Sequence, residues 1–428
     1  MNTKVSFYTL GCRLNQAETA TLESQFEKLG YQVVDFKSPS DVVIVNTCTV
    51  TENGDADTRK LVNKINRLNP NARIALIGCQ AQVQRDSLLE MPNVKWVVGN
   101  ALKMDLPAII GKGDKEDAPS VLTPVIKRER FTHPVAGIDR RHTRANLKIQ
   151  DGCDFFCSFC VIPYARGRAR SREFTDVVRE ARQLAEAGHR EVVLTGINVG
   201  TYRDGEKRIE DVIHALIQIE QLDRIRISSI EPTTIPEDLL NLAAARNKLC
   251  RYFHIPLQSG SNSVLKAMNR RYTREEFAEF IEYVDARVPN VCQGTDVIVG
   301  FPGEKEEHFE ETYRLLEALP LAYFHVFSYS ERPWAKSRKL EPKVPDEVIE
   351  KRSRILRELS QKKRNRYMES QAGREELVLF EQKKRGLWSG LTDTYIRVNV
   401  KSDLNLKNEL VPVRLQRPEN QVMIGELI

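Results

Sequence analysis

Nine short apolar runs between residues 4 and 329 alternate with amphipathic stretches of helical length, and this alternation confines the chain to α/β architectures. Three units precede residue 110: "KVSFYTL" then "ETATLESQFEKLG", "DVVIVN" then "TRKLVNKINRL", "ARIALIG" then "QVQRDSLLEM". Continuous apolar runs, rather than alternating ones, describe strands buried on both faces of a parallel sheet. Six longer units follow, with strands at "NLKIQ", "EVVLTG", "IRISSI", "RYFHIPL", "CQGTDVIVG" and "YFHVFSY". A closed eight-unit barrel takes about 250 residues, so six units between about residues 144 and 330 fit an open partial barrel. Within it Thr175 is placed to cap the helix "TDVVREARQLAEAG", and Thr273 with Glu276 has the spacing of a capping box.

From about residue 370 the pattern changes to "EELVLF", "TYIRVNV", "LVPVRLQ" and "VMIGELI", short segments divided by polar turns, as in a small antiparallel β-barrel. The stretch "GKGDKEDAPSVLTP" is polar, rich in Gly and Pro, and reads as a linker. The expected organisation is therefore an N-terminal parallel α/β sandwich over residues 1–112, a linker over 113–138, an open (β/α)6 partial barrel over 139–368 and a β-barrel over 369–428.

No run of eighteen apolar residues is present and the first residues lack a signal-peptide layout, so no membrane association is expected and the location should be cytoplasmic. The eight cysteines should then stay reduced, where clustered thiols more often bind metal than pair. The net charge of +6 is modest but concentrated. Lys127 to Arg172 holds eleven Lys/Arg against four acids, and Lys351 to Arg366 holds eight against one. Two such segments suggest a polyanionic partner; solvated helix faces are the alternative, and a stronger one for the second segment.

Six cysteines fall into two sets. Cys12, Cys48 and Cys79 each lie just past the carboxyl end of a predicted strand, the edge where open parallel sheets bind ligands. Three buried core cysteines would be the plainer reading. The second set is "DGCDFFCSFC", with Cys153, Cys157 and Cys160 in a C-x3-C-x2-C loop after the first barrel strand. Three thiolates leave a structural zinc site one ligand short. They also suit a four-iron cluster with one iron left open to a small molecule.

That spacing resembles the radical S-adenosylmethionine superfamily, and Phe159, just before the third cysteine, matches its pattern. More widely, "TLGCRLNQ", "VNTC", "IGC", "DGCDFFCSFCVIPYARGRARSR" and the terminal β-domain together resemble the methylthiotransferases. The resemblance implies two [4Fe-4S] clusters, an auxiliary one on Cys12, Cys48 and Cys79 and a radical-generating one on Cys153, Cys157 and Cys160, which are the catalytic ligands. It implies S-adenosylmethionine as cofactor, with the open iron chelating its amino and carboxylate groups. The C-terminal barrel would be the RNA-binding module called TRAM. An electron donor of the flavodoxin or ferredoxin type and a monomeric chain are expected.

Polar residues at strand ends are the candidates for contacting S-adenosylmethionine: Gly196, Asn198, Ser229, Glu231, Gln258 and Asp296, with Glu231 and Gln258 foremost. Arg172, in the series Arg166, Arg168, Arg170, Arg172, is a candidate for a carboxylate or phosphate. Cys250 and Cys292 read as structural, and His254 as a satisfied core histidine. In "SERPWAKSRKL" Trp334 stands where the family more often has glycine.

The implied reaction is radical. An aromatic C–H has no proton that a side-chain base removes at neutral pH, so a 5′-deoxyadenosyl radical would abstract hydrogen, and sulfur and then methyl would follow. Family branches act on isopentenyladenosine in tRNA, on threonylcarbamoyladenosine in tRNA, or on an aspartate of a ribosomal protein. "GCRLNQ" resembles the threonylcarbamoyl branch, and a carboxylate-bearing substrate suits a site rich in arginines. The basic segments favour the anticodon stem-loop of tRNA as partner, where unstacked bases are reachable. An iron–sulfur RNA-binding protein without catalysis is the alternative of another class.

Overall fold

The computed structural model describes residues 3–49, 52–113, 119–133, 135–139 and 142–428. The first domain runs β1 (Lys4–Thr9), α1 (Arg13–Lys28), β2 (Gln32–Val34), β3 (Val42–Thr47), α2 (Glu52–Leu68), β4 (Arg73–Gly78), α3 (Cys79–Gln84), α4 (Asp86–Leu89), β5 (Val94–Val98), α5 (Leu106–Gly113) and β6 (Ser120–Leu122). Its six strands are parallel in the order β2-β1-β3-β4-β5-β6. Val42, Val43, Ile44 and Val45 are all fully buried because one apolar layer covers each face of the sheet. The predicted third helix is broken in two at Arg85, whose φ is +44°. The segment expected to be a linker instead supplies β6, since Trp96, Val97 and Val98 of β5 pair with Ser120, Val121 and Leu122. The part of it over residues 114–118 lies outside the described residues.

The middle region runs β7 (Ala145–Lys148), β8 (Gln150–Asp151), α6 (Ile162–Arg166), β9 (Arg170–Ser171), α7 (Phe174–Glu186), β10 (Glu191–Thr195), α8 (Ile209–Ile217), β11 (Arg224–Ile227), α9 (Glu237–Ala244), β12 (Tyr252–His254), α10 (Asn262–Ala267), α11 (Arg274–Arg287), β13 (Cys292–Val299), α12 (Glu306–Ala318), β14 (Tyr323–Ser328) and α13 (Asp346–Ser370). Two parallel sheets, β11-β10-β7 and β12-β13-β14, are joined where Ile225 bridges Leu249. The six predicted strands therefore form one curved wall whose edges, β7 and β14, do not pair. This is the open partial barrel. The Thr273–Glu276 capping box is present, with bonds of 3.2 and 2.7 Å. Thr175 is not a cap: α7 starts at Phe174, whose N–H is taken by the Asp204 carboxylate at 2.8 Å.

The last strands, β15 (Glu375–Lys384), β16 (Leu387–Leu391), β17 (Arg397–Lys401), β18 (Leu410–Glu419) and β19 (Val422–Leu427), close a barrel in the order β15-β16-β17-β19-β18. The sequence pattern misses β16, which follows a two-residue turn of Arg385 and Gly386 at φ +49° and +80°. This barrel docks beneath the partial barrel through arginines at the starts of its strands. Arg224 donates to the Leu391 carbonyl at 2.9 Å, and Arg251 pairs with Asp393 at 2.7 Å and Glu376 at 3.0 Å.

Candidate active site

Strand order 2-1-3-4-5 puts a topological switch point between β1 and β3, where such sheets bind ligands beyond the carboxyl ends. Cys12 follows β1, Cys48 follows β3 and Cys79 opens α3 after β4, so the fold brings all three to that edge. Their closeness requires the glycines beside them. A Cβ on Gly11 (φ +100°) would lie 2.8 Å from Cys48 Cβ, and one on Gly78 (φ +99°) would lie 2.5 Å from Asn46 Oδ1. Cys79 Sγ accepts from Arg166 Nε at 3.1 Å, and Asn100 Nδ2 stands 3.7 Å from it.

The second triad occupies the loop between β8 and α6. Gly152 (φ +70°) lets the backbone pass where a Cβ would meet the Arg168 carbonyl at 2.2 Å. Each sulfur has one donor: Phe155 N–H on Cys153 at 3.5 Å, Arg270 Nη1 on Cys157 at 3.3 Å, Ile162 N–H on Cys160 at 3.4 Å. Burial pushes the Cys153 thiol up to about 11 and the Cys160 thiol up to about 12, with mutual thiolate repulsion adding to it. Bare, these groups stay protonated at neutral pH; only a cationic centre would make them ligands. Three sulfurs with a donor on each and no carboxylate among them, as in the Cys153–Cys160 loop, fit a four-iron cluster with one iron left open.

A buried ion network joins the two triads. Arg166, on the turn after Cys160, reaches Glu18 and Asp151 at 3.0 and 3.1 Å and Asn15 at 2.5 Å as well as Cys79. Lys148 and Lys103 also pair with Glu18, which has no exposed surface. Burial works against the Glu18 carboxylate, but the three cations outweigh it and hold the group well below its ordinary range.

A cavity of about 650 Å³ runs from Gly11, Cys12 and Arg13 through the partial barrel (Gly196, Ser229, Asp296) to Tyr395 and Ile396 of the last barrel. A smaller one of about 190 Å³ holds Phe159, Cys160, Gln258, Ile298 and Arg332. Asp296 and Phe327 line both.

Of the residues named from sequence, Phe159, Gln258 and Asp296 therefore meet beside Cys160, and Gly196 and Ser229 line the larger space. Phe159 packs on the cluster of Val264, Met268 and Phe301. Glu231 reaches the Cys153–Cys160 loop indirectly: it pairs with Arg270, which also holds Cys157. Burial raises the Glu231 carboxyl above its ordinary value despite that arginine. Asn198 braces this turn, accepting from Thr234 at 3.1 Å, while its buried Nδ2 has no hydrogen-bond partner among the described residues.

Arg172 is a correction. It is fully buried and bound to Asp176 at 2.6 Å, to Glu180 and to the Lys148 carbonyl, so it has no donor to offer a cofactor. Arg168 and Arg170 are likewise paired, with Asp154 and Asp151. The first basic segment is thus largely an internal ion network, with Arg140 and Arg141 outside the described residues. The second behaves oppositely: Lys351, Arg354, Arg357, Lys362 and Arg366 are exposed on α13 and form no ion pair among the described residues. His254 is buried and satisfied, as expected, with Nδ1 3.3 Å from the Tyr323 hydroxyl. It also faces the cavity, 2.9 Å from Asp296, and the ligand atoms of His254, Asp296 and His325 lie within 4.8 Å of one another. Sequence reasoning missed Arg270 and Arg13; "NRRY" gave no periodic signal.

Fold and site together define a radical S-adenosylmethionine enzyme carrying a flavodoxin-like domain. Residues 147–316 match the Radical SAM superfamily, and residues 4–99 match Uncharacterized protein family UPF0004. The threonylcarbamoyladenosine tRNA methylthiotransferase MtaB of Aquifex aeolicus is 41% identical over 92% of this chain and 96% of its own. The tRNA-2-methylthio-N(6)-dimethylallyladenosine synthase of Clostridium tetani is 30% identical over 99% and 97%. The radical S-adenosylmethionine methyltransferase TsrM of Kitasatospora setae shares the fold, with a TM-score of 0.57 at 18% identity over 77% of this chain and 75% of that one. The chain belongs to the radical S-adenosylmethionine methylthiotransferase family, which implies one [4Fe-4S] cluster and S-adenosylmethionine. Among the described residues no helix is long and apolar enough to cross a membrane.

Proposed function

We propose that the protein is a tRNA methylthiotransferase that places a methylthio group at C2 of N6-threonylcarbamoyladenosine beside the anticodon. The observation that carries this reading is the single cavity that opens on Cys12 at one end and shares Asp296 and Phe327 with the space beside Cys160. A base held there would lie against Cys12 and, across Asp296 and Phe327, next to the space beside Cys160. Cys153, Cys157 and Cys160 would hold the cluster that the family implies, and Cys12, Cys48 and Cys79 a second one. When bound, the first supplies the electron that makes S-adenosylmethionine a hydrogen-abstracting reagent, and the second supplies the position for sulfur.

The chain's own part is holding and shielding. Arg270 fixes Cys157 and Glu231 together and is anchored by Tyr272, whose hydroxyl donates to the Pro256 carbonyl at 2.7 Å. Tyr252, Tyr323 and Phe327 wall the cavity and keep water from the reacting carbon. The unpaired cations of α13 support an RNA backbone as partner. An electron donor of the flavodoxin or ferredoxin type is needed, and the chain works as a monomer.

The test is anaerobic incubation of the iron-loaded protein with S-adenosylmethionine, a strong reductant and bulk tRNA, read by nucleoside mass spectrometry. Methylthio-threonylcarbamoyladenosine is the expected product. A methylthio group on isopentenyladenosine instead, or on no nucleoside, overturns the substrate.

A further inference from the structure

Four guanidinium groups line the large cavity: Arg13, Arg144, Arg226 and Arg364. Two are neutralised. Arg144 lies 2.8 Å from Glu381, and Arg226 lies 2.7 Å from Glu191. Among the described residues Arg13 reaches only neutral acceptors, the Asn146 amide oxygen at 3.4 Å and the Tyr395 hydroxyl at 2.7 Å. Arg364 makes no hydrogen bond or ion pair among the described residues. Against these two guanidiniums stands one further carboxylate on the cavity wall, Asp296, 2.9 Å from His254, so the cavity keeps a surplus of positive charge, which also shows at Tyr395. Burial pushes that phenol up, but Arg13, Arg144 and Arg226 outweigh it and hold the group below its ordinary value. A half-buried cation without a counter-charge is unfavourable unless a ligand supplies one.

The two unpaired arginines differ in how they are held. Arg13 follows Cys12 directly, so its position is fixed relative to the first triad. Its guanidinium is clamped between Asn146 on the open edge strand β7 and Tyr395 of the last barrel. Two of its five N–H donors are engaged, which leaves enough for a bidentate grip on a planar anion. Arg364 has no such clamp; it sits on α13, near enough to His325 to oppose its protonation.

We propose that Arg13 is an anion-binding subsite that receives the free carboxylate of an amino-acid group carried on the substrate base, and so selects that base over one bearing an apolar group. This rests on the reading of the previous subsection and names the residue that would make the choice. An isopentenyl group in the same place would set hydrocarbon against an uncompensated guanidinium, which disfavours it.

The test compares two anticodon stem-loop RNAs, one carrying threonylcarbamoyladenosine and one carrying its neutral methyl ester. Affinity by fluorescence anisotropy and methylthio product are measured on the iron-loaded protein. Wild type should prefer the acid, and Arg13→Gln should lower acid affinity about 10- to 100-fold, the size of a charged hydrogen-bonded pair, while the ester loses far less. Arg13→Lys, which keeps the charge without the fork, should fall between and serves if Arg13→Gln loads iron poorly. Equal losses for acid and ester in both variants overturn the subsite and leave the reaction standing. An acid preference erased by Arg364→Gln but not by the Arg13 variants also overturns it. Absence of product from wild type with the acid preference intact and sensitive to Arg13 would sink the proposed reaction while sustaining the subsite.

Discussion

Cys153, Cys157 and Cys160 come from one loop of eight residues, whereas Cys12, Cys48 and Cys79 come from three loops set by the order of a parallel sheet. The Cys153–Cys160 triad is fixed locally, by Gly152, by Phe156 at φ +50°, and by the bond from Cys160 N–H to the Cys157 carbonyl at 3.0 Å. The Cys12–Cys79 triad exists only while β1, β3 and β4 keep their register. Each triad has one guanidinium on one sulfur, but with different consequences. Arg270 ties its triad to Glu231 within the partial barrel. Arg166 ties the other across the domain boundary to Glu18, Asn15 and Asp151. A local triad should tolerate injury to the sheet, and an assembled one should not.

The largest effect expected from breaking this comparison is on the local side. Cys157→Ala should abolish both 5′-deoxyadenosine and methylthio product under anaerobic assay, because a cluster with two ligands is not held. Product from this variant at more than a trace would contradict the assignment of the loop.

Next is Glu18→Ala, which leaves Arg166, Lys103 and Lys148 buried without their shared carboxylate. Breaking a buried pair in this way is worth about 3–5 kcal/mol, to be read by chemical denaturation. Iron retention should fall at the assembled triad before the local one, with Cys153, Cys157 and Cys160 still loaded by spectroscopy. Equal loss at both triads would mean that the network serves the whole fold rather than the boundary.

The same carboxylates set an acid limit. Burial opposes the charge of Glu191, but Arg226 and Arg144 hold it at about 2, and Glu18 too is held well below its ordinary range. Groups lowered in the folded state contribute stability above their unfolded value of about 4.5, and that contribution fades as pH falls toward the folded one. The denaturation midpoint should therefore hardly respond to these groups between pH 8 and 6 and should drop from about pH 4.5 downward. A steep loss between pH 8 and 6 would point to other groups.

The smallest effect concerns Trp334, exposed, stacked on Tyr164 at 6.3 Å and held at φ +73°. A backbone of that kind favours glycine over any other residue. Trp334→Gly and Trp334→Ala both lose the stacked ring, yet the glycine variant should be the more stable by about 1 kcal/mol. Equal stability would remove the strain from the account.

Much of this was legible in the sequence, because buried parallel strands announce themselves as continuous apolar runs such as "DVVIVN" and "ARIALIG". The convergence of Cys12, Cys48 and Cys79 followed from strand ends alone. Short strands did not show: "QVV" of β2 and "SVL" of β6 are three residues each, and they pair because a sheet edge is available. Charge was misread for a physical reason. Composition counts Arg166, Arg170 and Arg172 as a basic surface, but their partners Glu18, Asp151, Asp176 and Glu180 are brought in by folding. His254 is the satisfied buried histidine that its apolar neighbours suggested, and the sequence did not show that the open barrel also sets it on the cavity wall beside Asp296.

The central claim is a division of labour between the two triads, and Cys48→Ala tests it most directly. In an anaerobic assay with S-adenosylmethionine, reductant and threonylcarbamoyladenosine-bearing tRNA, this variant should still release 5′-deoxyadenosine and should form no methylthio nucleoside. Methylthio product at the wild-type level, or loss of 5′-deoxyadenosine with Cys153, Cys157 and Cys160 fully loaded with iron, would contradict it.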